Sequence, residues 1–307
     1  MLATLTSARF SDPAWIFERK LDGERGLAFR QRAGVRLLSR NRQRLNDTYP
    51  EIVDSVAVQT GDFVIDGEIV AFEGRRTSFE KLQGRIGIKD PEVARRSKIK
   101  VFYYVFDLLY LDGYDITRLP LRFRKRLLRR ALRFGDPLRF LPHRDREGEA
   151  FYKEVCSLGL EGAIAKRADG EYVHGRSRDW LKFKCSNEQE FVIGGFTDPQ
   201  RTRVGFGALL LGYYENGTLR YAGKVGTGYD NQTLQKLRQR LDALSRPVSP
   251  YGGEEVQEKG VHWVEPRLVA EVAFSEWTRD GKLRHPRFLG LRTDKPAKDV
   301  VRERPAT

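Results

Sequence analysis

The chain has 307 residues, with 56 Lys and Arg against 42 Asp and Glu, a formal net charge of +14, and 40% apolar residues. That length supports two domains with separate cores, and the positive field favours a polyanionic partner such as nucleic acid. No apolar run reaches the length of a membrane-spanning helix, and Met1 to Leu5 lack the basic-then-apolar pattern of a signal peptide, so the expectation is no membrane span and a cytoplasmic, nucleoid-associated location.

Residues 14–20, 26–31 and 34–39 read as short strands joined by turns at Asp22-Gly23 and Ala33-Gly34. Residues 62–72 and 99–111 read as long apolar strands, the second ending at Asp112-Gly113. Helices fit 78–86, 121–134 and 146–158, and strands return at 162–168 and 180–185. Mixed order of this kind predicts an α+β domain over 1–187 with antiparallel sheets rather than a doubly wound parallel sheet. From 188 to 307 the texture changes. Strands at 190–197, 206–214 and 218–226, with a hairpin signal at Glu215-Asn216-Gly217, precede a helix at 230–244 and strands at 261–264 and 268–277. Short strands plus one helix suit a five-stranded OB-type β-barrel, although the pattern does not separate that from another small barrel.

The run Phe17-Glu18-Arg19-Lys20-Leu21-Asp22-Gly23-Glu24-Arg25 sets an amine nucleophile, Lys20, close to a phosphate-binding cation, Arg25. Such a lysine can attack a nucleotide α-phosphate and hold the nucleotide as a phosphoramide, but Asp-Gly is also an ordinary turn. In Val64-Ile65-Asp66-Gly67-Glu68-Ile69-Val70, alternation sets Asp66 and Glu68 on one face of an apolar strand, where two carboxylates call for a cation or hydrogen-bond donors. Phe106 lies in an aromatic strand, Phe102 to Tyr110, that offers a stacking surface or simply core.

Glu161 opens the strand Gly162-Ala163-Ile164-Ala165-Lys166-Arg167. In Trp180-Leu181-Lys182-Phe183-Lys184, Lys182 and Lys184 share a face, and two like charges side by side point to an anion between them. Arg40 stands at a strand end, and Arg292-Thr293-Asp294-Lys295 gathers two cations around a carboxylate. The segment 121–134 holds seven basic and no acidic residues, read as a solvated face or as a contact to a DNA backbone. No G-x-x-x-x-G-K-[ST] loop is present, and the four histidines lack metal-ligand spacing. Cys156 and Cys185 form no Cys-x-x-Cys and no Cys/His cluster, so both read as small buried hydrophobes rather than as a disulfide framework or a zinc site.

In this order, these segments resemble the motifs of the covalent nucleotidyltransferases: DNA ligases, RNA ligases and mRNA-capping enzymes. The likeness is carried by Lys20-Leu21-Asp22-Gly23-Glu24-Arg25, Asp66-Gly67-Glu68, Phe106-Asp107, Glu161-Gly162, Lys182-Phe183-Lys184 and Arg292-Thr293-Asp294-Lys295. Within that superfamily the chain looks most like the ATP-dependent ligase module of bacterial DNA ligase D, through Glu161 to Arg167, Trp180 to Lys184 and Phe288-Leu289-Gly290-Leu291-Arg292. No polymerase-primase or nuclease segment accompanies it, as expected of a stand-alone member or an excised module.

The resemblance implies a nucleotidyltransferase domain of ATP-grasp-like antiparallel sheets with helices, followed by an OB-fold barrel. It also implies an ATP-dependent DNA ligase that seals 3′-OH/5′-phosphate nicks through lysyl-AMP, in repair and end joining. By the family pattern Lys20 is the nucleophile, with Asp22, Lys182 and Lys184 completing the catalytic set. Glu18, Arg25, Glu68, Phe106, Glu161, Lys182 and Lys184 hold the nucleotide, and Glu68 and Glu161 hold Mg²⁺ or Mn²⁺. Arg40 grips the 5′-phosphate of the nick. Arg292, Asp294 and Lys295 orient pyrophosphate in the first step only, which requires the barrel to close for ATP loading and reopen for DNA. A free lysine is uncharged in only about one molecule in a few thousand at pH 7, so cations at the site would help by lowering its pKa. Nicked duplex DNA is the implied partner of a monomer, with a Ku-type end-binding protein and separate polymerase and nuclease proteins beside it. The open alternatives are an RNA ligase, a capping guanylyltransferase, or a non-catalytic DNA-binding relative.

Overall fold

A computed structural model describes residues 1–199 and 203–305. The chain divides into two units, Met1–Cys185 together with Arg304 and Pro305, and Ser186–Glu303. No helix among the described residues is long and apolar enough to cross a membrane.

The first unit contains strands β1 (Leu2–Leu5), β2 (Trp15–Arg19), β3 (Glu24–Gln31), β4 (Gly34–Ser39), β5 (Phe63–Glu73) and β6 (Arg76–Thr77). It continues with β7 (Val101–Leu111), β8 (Tyr114–Asp115), β9 (Leu138–Phe140), β10 (His143–Asp145), β11 (Gly162–Arg167) and β12 (Arg176–Lys184). Five helices intervene: α1 (Pro50–Ala57), α2 (Phe79–Gln83), α3 (Pro91–Arg95), α4 (Leu121–Ala131) and α5 (Gly148–Ser157).

Two sheets result, with strand orders β1-β12-β11-β2-β10 and β4-β3-β5-β7-β8. Only β1 with β12 and β7 with β9 run parallel among the described pairs of this unit. The architecture is therefore α+β with mostly antiparallel sheets, as expected. In the first sheet the period-2 pattern sorts the side chains. Odd-numbered Phe17, Ala163, Ala165 and Phe183 bury against Val155 of α5, while even-numbered positions face the other way.

Two glycines in the motif turns have a steric reason. A Cβ on Gly23 would meet the Ile69 carbonyl oxygen at 2.2 Å, and one on Gly162, at φ +147°, would meet the Phe183 carbonyl oxygen at 1.9 Å. Both allow close approach of the backbone carrying Lys20 and Glu161.

The second unit is OB-fold-like. The long strand Asn187–Thr197 pairs with Leu209–Glu215, Val261–Val264 and Val269–Phe274, so one strand serves several neighbours as a barrel wall requires. Its hairpin turn holds Asn216 at φ 51° and Gly217 at φ 77°, as the Asn-Gly signal predicts. Helix Asn231–Asp242 buries Leu234, Leu237 and Leu241 in the same core. Strand Arg287–Arg292 joins Val269–Phe274 and carries the chain to the Arg292 motif.

Two sequence expectations are corrected. Cys156 and Cys185 are bonded to each other rather than separate thiols. They lie 29 residues apart in the chain, but α5 and the end of β12 cover the same apolar cluster, bringing their Cα atoms to 5.4 Å. The basic helix α4 is neither wholly solvated nor wholly available to DNA. Arg124 and Lys125 are buried beneath it, because each has a carboxylate partner in the interior.

Candidate active site

The even-numbered face of the first sheet carries the chemistry. Register aligns Glu18 of β2, Ile164 of β11 and Lys182 of β12 in one cross-strand row. The next row holds Gly162 opposite Lys184, with the Lys20 N–H donating to the Gly162 carbonyl at 2.9 Å. From the second sheet, Arg25 of β3 lies opposite Glu68 of β5. The two sheets bound a cavity of about 180 Å³ whose wall includes Glu18, Lys20, Arg25, Glu68, Phe106, Lys166 and Trp180.

Lys20 Nζ donates to Glu161 Oε1 in an ion pair, while Glu161 Oε2 is shielded from solvent without a hydrogen-bond partner. Arg25 makes a bidentate pair with the fully buried Asp66, Nε to Oδ1 at 2.6 Å and Nη2 to Oδ2 at 2.5 Å. Tyr172 donates its hydroxyl to the same carboxylate at 2.7 Å. Burial disfavours both charges of the Arg25–Asp66 pair, yet the pairing outweighs it, lifting the guanidinium above its ordinary range and holding the carboxyl below. The Arg25 guanidinium also lies 4.8 Å from the centroid of Phe106, which meets Trp180 edge to face at 5.8 Å.

Glu18 sits at the bottom of the cavity, paired with Lys125 at 2.5 Å and Lys166 at 2.6 Å, all three side chains nearly fully buried. Burial would raise the Glu18 carboxyl, but the two ammonium groups hold it below the carboxylate range. Burial pushes the Lys166 amine down to about 8, with Glu18 pulling the other way. Its Nζ lies 4.1 Å from the Phe106 centroid and 3.8 Å from that of Trp180. The cavity thus offers an aromatic wall, a carboxylate–ammonium pair at its base, and a lysine at its mouth beside a carboxylate.

Of the residues singled out in the sequence, Glu18, Lys20, Arg25, Glu68 and Phe106 meet at the cavity wall, and Glu161 joins through Lys20. Lys182 and Lys184 share the face but do not form the wall. The Asp22 Oδ2 accepts the Phe79 N–H at 2.9 Å, at the start of α2, and Asp22 is absent from the wall. Arg40 is exposed beyond the end of β4. Arg292 and Lys295 belong to the second unit. Arg292 is paired with Asp294 at 2.7 Å and Glu271 at 2.9 Å, and Lys295 with Glu190 at 3.2 Å. Lys166 and Trp180 are wall residues that the motif reading passes over. Their parity with Ile164 and Lys182 was the available signal.

The family model described as "ATP dependent DNA ligase domain" matches residues 1–184, and "ATP dependent DNA ligase C terminal region" matches residues 202–295. The multifunctional non-homologous end joining protein LigD of Pseudomonas aeruginosa is 40% identical over 301 residues, which cover 95% of this chain and 35% of that protein. The LigD of Mycobacterium tuberculosis is 37% identical over 316 residues, covering 99% of this chain and 39% of its own length. The chain thus spans little more than a third of the curated relatives it matches. Among solved structures, a mycobacterial DNA ligase D complexed with ATP and MES aligns over 98% of both chains with a TM-score of 0.67 at 33% identity. With an aromatic cavity that a lysine lines and a family model matching residues 1–184, the chain belongs to the ATP-dependent DNA ligase family.

Proposed function

We propose that this chain is an ATP-dependent DNA ligase module that seals 3′-OH/5′-phosphate nicks through a lysyl-AMP intermediate, and that it serves end joining as the names of its LigD relatives suggest. The observation that carries the reading is the position of Lys20 at the mouth of a cavity whose base and walls suit a nucleotide.

In the first step the Lys20 amine attacks the α-phosphorus of ATP, a P–N bond forms, and the P–O bond to pyrophosphate breaks. The amine attacks only after losing a proton, and the group in contact with it is the Glu161 carboxylate. The adenylyl group then passes to the 5′-phosphate of a nick, freeing Lys20. The 3′-hydroxyl finally displaces AMP and closes the phosphodiester.

Phe106 and Trp180 give the adenine an apolar enclosure, and the Glu18–Lys166 pair offers its edge both an acceptor and a donor. Arg25, held by Asp66, cannot swing away, so it presents a fixed cation to the sugar-phosphate side. The catalytic work is positioning and charge neutralisation rather than histidine chemistry.

Mg²⁺ or Mn²⁺ fits at the carboxylates. Glu161 Oε2 is buried and unpartnered beside Lys20, and Glu68 stands on the cavity wall that Lys20 also lines. Among the described residues no group of three or more His, Cys, Asp or Glu side chains is placed to hold a metal, so the protein would supply one or two carboxylates and the nucleotide the remaining oxygens. A cation bound there neutralises phosphate charge.

Incubation with α-labelled ATP and Mg²⁺ should label the wild type covalently and leave Lys20→Ala unlabelled, and the labelled protein should seal nicked DNA. Labelling that survives Lys20→Ala overturns the assignment of the nucleophile. Labelling by GTP, or sealing of nicked RNA alone, replaces the substrate.

A further inference from the structure

A second and larger concavity, about 360 Å³, opens beside α4 and is not part of the nucleotide cavity. Its apolar surface comes from Phe123, Phe140 and Pro142, and its polar rim from Arg122, Arg126, Arg129 and His143, with no acidic residue in the lining. Arg122 is neutralised by Asp145 at 2.8 Å. Arg126 and Arg129 form no ion pair among the described residues, so two cations flank the groove without a protein counter-charge.

Phe123 is 49% exposed although it is a large apolar side chain, and it is not a core residue displaced outward: Leu121, Arg124, Lys125 and Leu128 form the buried face of the same helix. One side of its ring is covered by the Arg126 guanidinium, 4.5 Å from the centroid. Phe140 lies under Lys125 at 4.7 Å and Arg129 at 5.8 Å. An exposed ring backed by a guanidinium, with a further unpaired arginine one turn along the helix, supplies the two elements that hold single-stranded nucleic acid: a π face for an unpaired base and fixed cations for its phosphates. Inside a duplex the base faces are stacked on one another, and a carboxylate-rich peptide would satisfy the arginines without using the ring.

We propose that this groove is a binding site for single-stranded DNA, such as an overhang or displaced strand, with a base stacked on Phe123 and adjacent phosphates on Arg126 and Arg129. The inference deepens the ligase reading by naming a second feature of the substrate. It rests on that reading only in taking the strand to be DNA.

The test is fluorescence anisotropy of the full chain with a labelled oligothymidylate, without ATP or metal, so that it fails or succeeds independently of catalysis. Phe123→Ala should weaken binding about fivefold or more, and Phe123→Trp should restore it. The pair Arg126→Glu and Arg129→Glu should reduce the slope of log affinity against log salt by about 1 to 1.5, while Arg130→Glu, outside the groove, should change it least. Thermal midpoints and Lys20 adenylylation should match the wild type in every variant. The proposal is overturned if Phe123→Ala binds like the wild type, if an abasic oligomer of equal charge binds equally well, or if poly-glutamate displaces the strand at equal charge concentration. The last outcome assigns the groove to an acidic peptide instead.

Discussion

At the scale of single residues, the base of the nucleotide cavity concentrates more charge than the interior readily tolerates. Glu18 faces two buried ammonium groups, Lys125 and Lys166, and only pairing offsets the cost of removing all three from water. The consequence is measurable at Lys166, whose amine is held at about 8 by burial. The unfolded chain then binds more protons than the folded one between pH ~8 and the ordinary lysine value of ~10.4. Stability therefore rises with pH across that window, and the burden is fully present below it. Lys166→Met removes the titrating group. The stability of the wild type relative to this variant should climb by on the order of 3 kcal/mol between pH ~7.5 and ~10.5, as urea unfolding at a series of pH values would show. A pH-independent difference would mean that Lys166 titrates normally and that its burial is relieved in solution.

At the scale of elements, α4 shows how a helix can look solvated in sequence and be anchored in fact. Arg124 and Asp107 are both fully buried and joined by two hydrogen bonds, at 2.8 and 2.9 Å, and Arg124 also donates to the Gly170 carbonyl at 3.0 Å. Arg124→Ala leaves the Asp107 carboxylate buried without its cation, and should destabilise the fold by about 3–5 kcal/mol. Arg130→Ala, on the exposed face of the same helix, should stay within about 0.5 kcal/mol. Equal thermal shifts for the two variants would refute the anchoring role. The contrast also marks where sequence reading stops. Lys20, Arg25, Glu68 and Glu161 were singled out through an ordered set of short motifs, since each pattern alone also reads as an ordinary turn or strand. Arg124 and Lys125 were not, since their partners lie 17 and 107 residues away and only the tertiary fold joins them. The Cys156–Cys185 bond has the same origin. Trp180 and Lys166 were within reach, because strand parity already sets them on the face of Lys182. Helix α1 was not read from the sequence: eight residues give a weak periodicity, and Tyr49 supplies no capping side chain.

At the scale of the whole molecule, the site residues expected from sequence fall in two different units, and the second set is engaged where it stands. Lys295 is paired with Glu190, and Arg292 with Asp294 and Glu271, all within Ser186–Glu303. Service to the nucleotide therefore requires these cations to exchange their carboxylate partners for phosphate oxygens. On the proposed ligase reading, that exchange serves the step in which pyrophosphate is present and must be oriented. A charge-assisted contact is worth about 1.5–3 kcal/mol, which converts to roughly a 10- to 100-fold rate effect. Lys295→Ala should lower formation of lysyl-AMP from labelled ATP by that factor, yet leave sealing of a pre-adenylated nick within about twofold of the wild type. The two assays share the folded protein but only the first involves pyrophosphate, so a misfolded variant would fail both. Equal loss in both would place Lys295 in the stability of its own unit, where Glu190 already holds it, and loss confined to sealing would place it in DNA binding. Loss confined to the first assay would tie the second unit to nucleotide loading alone.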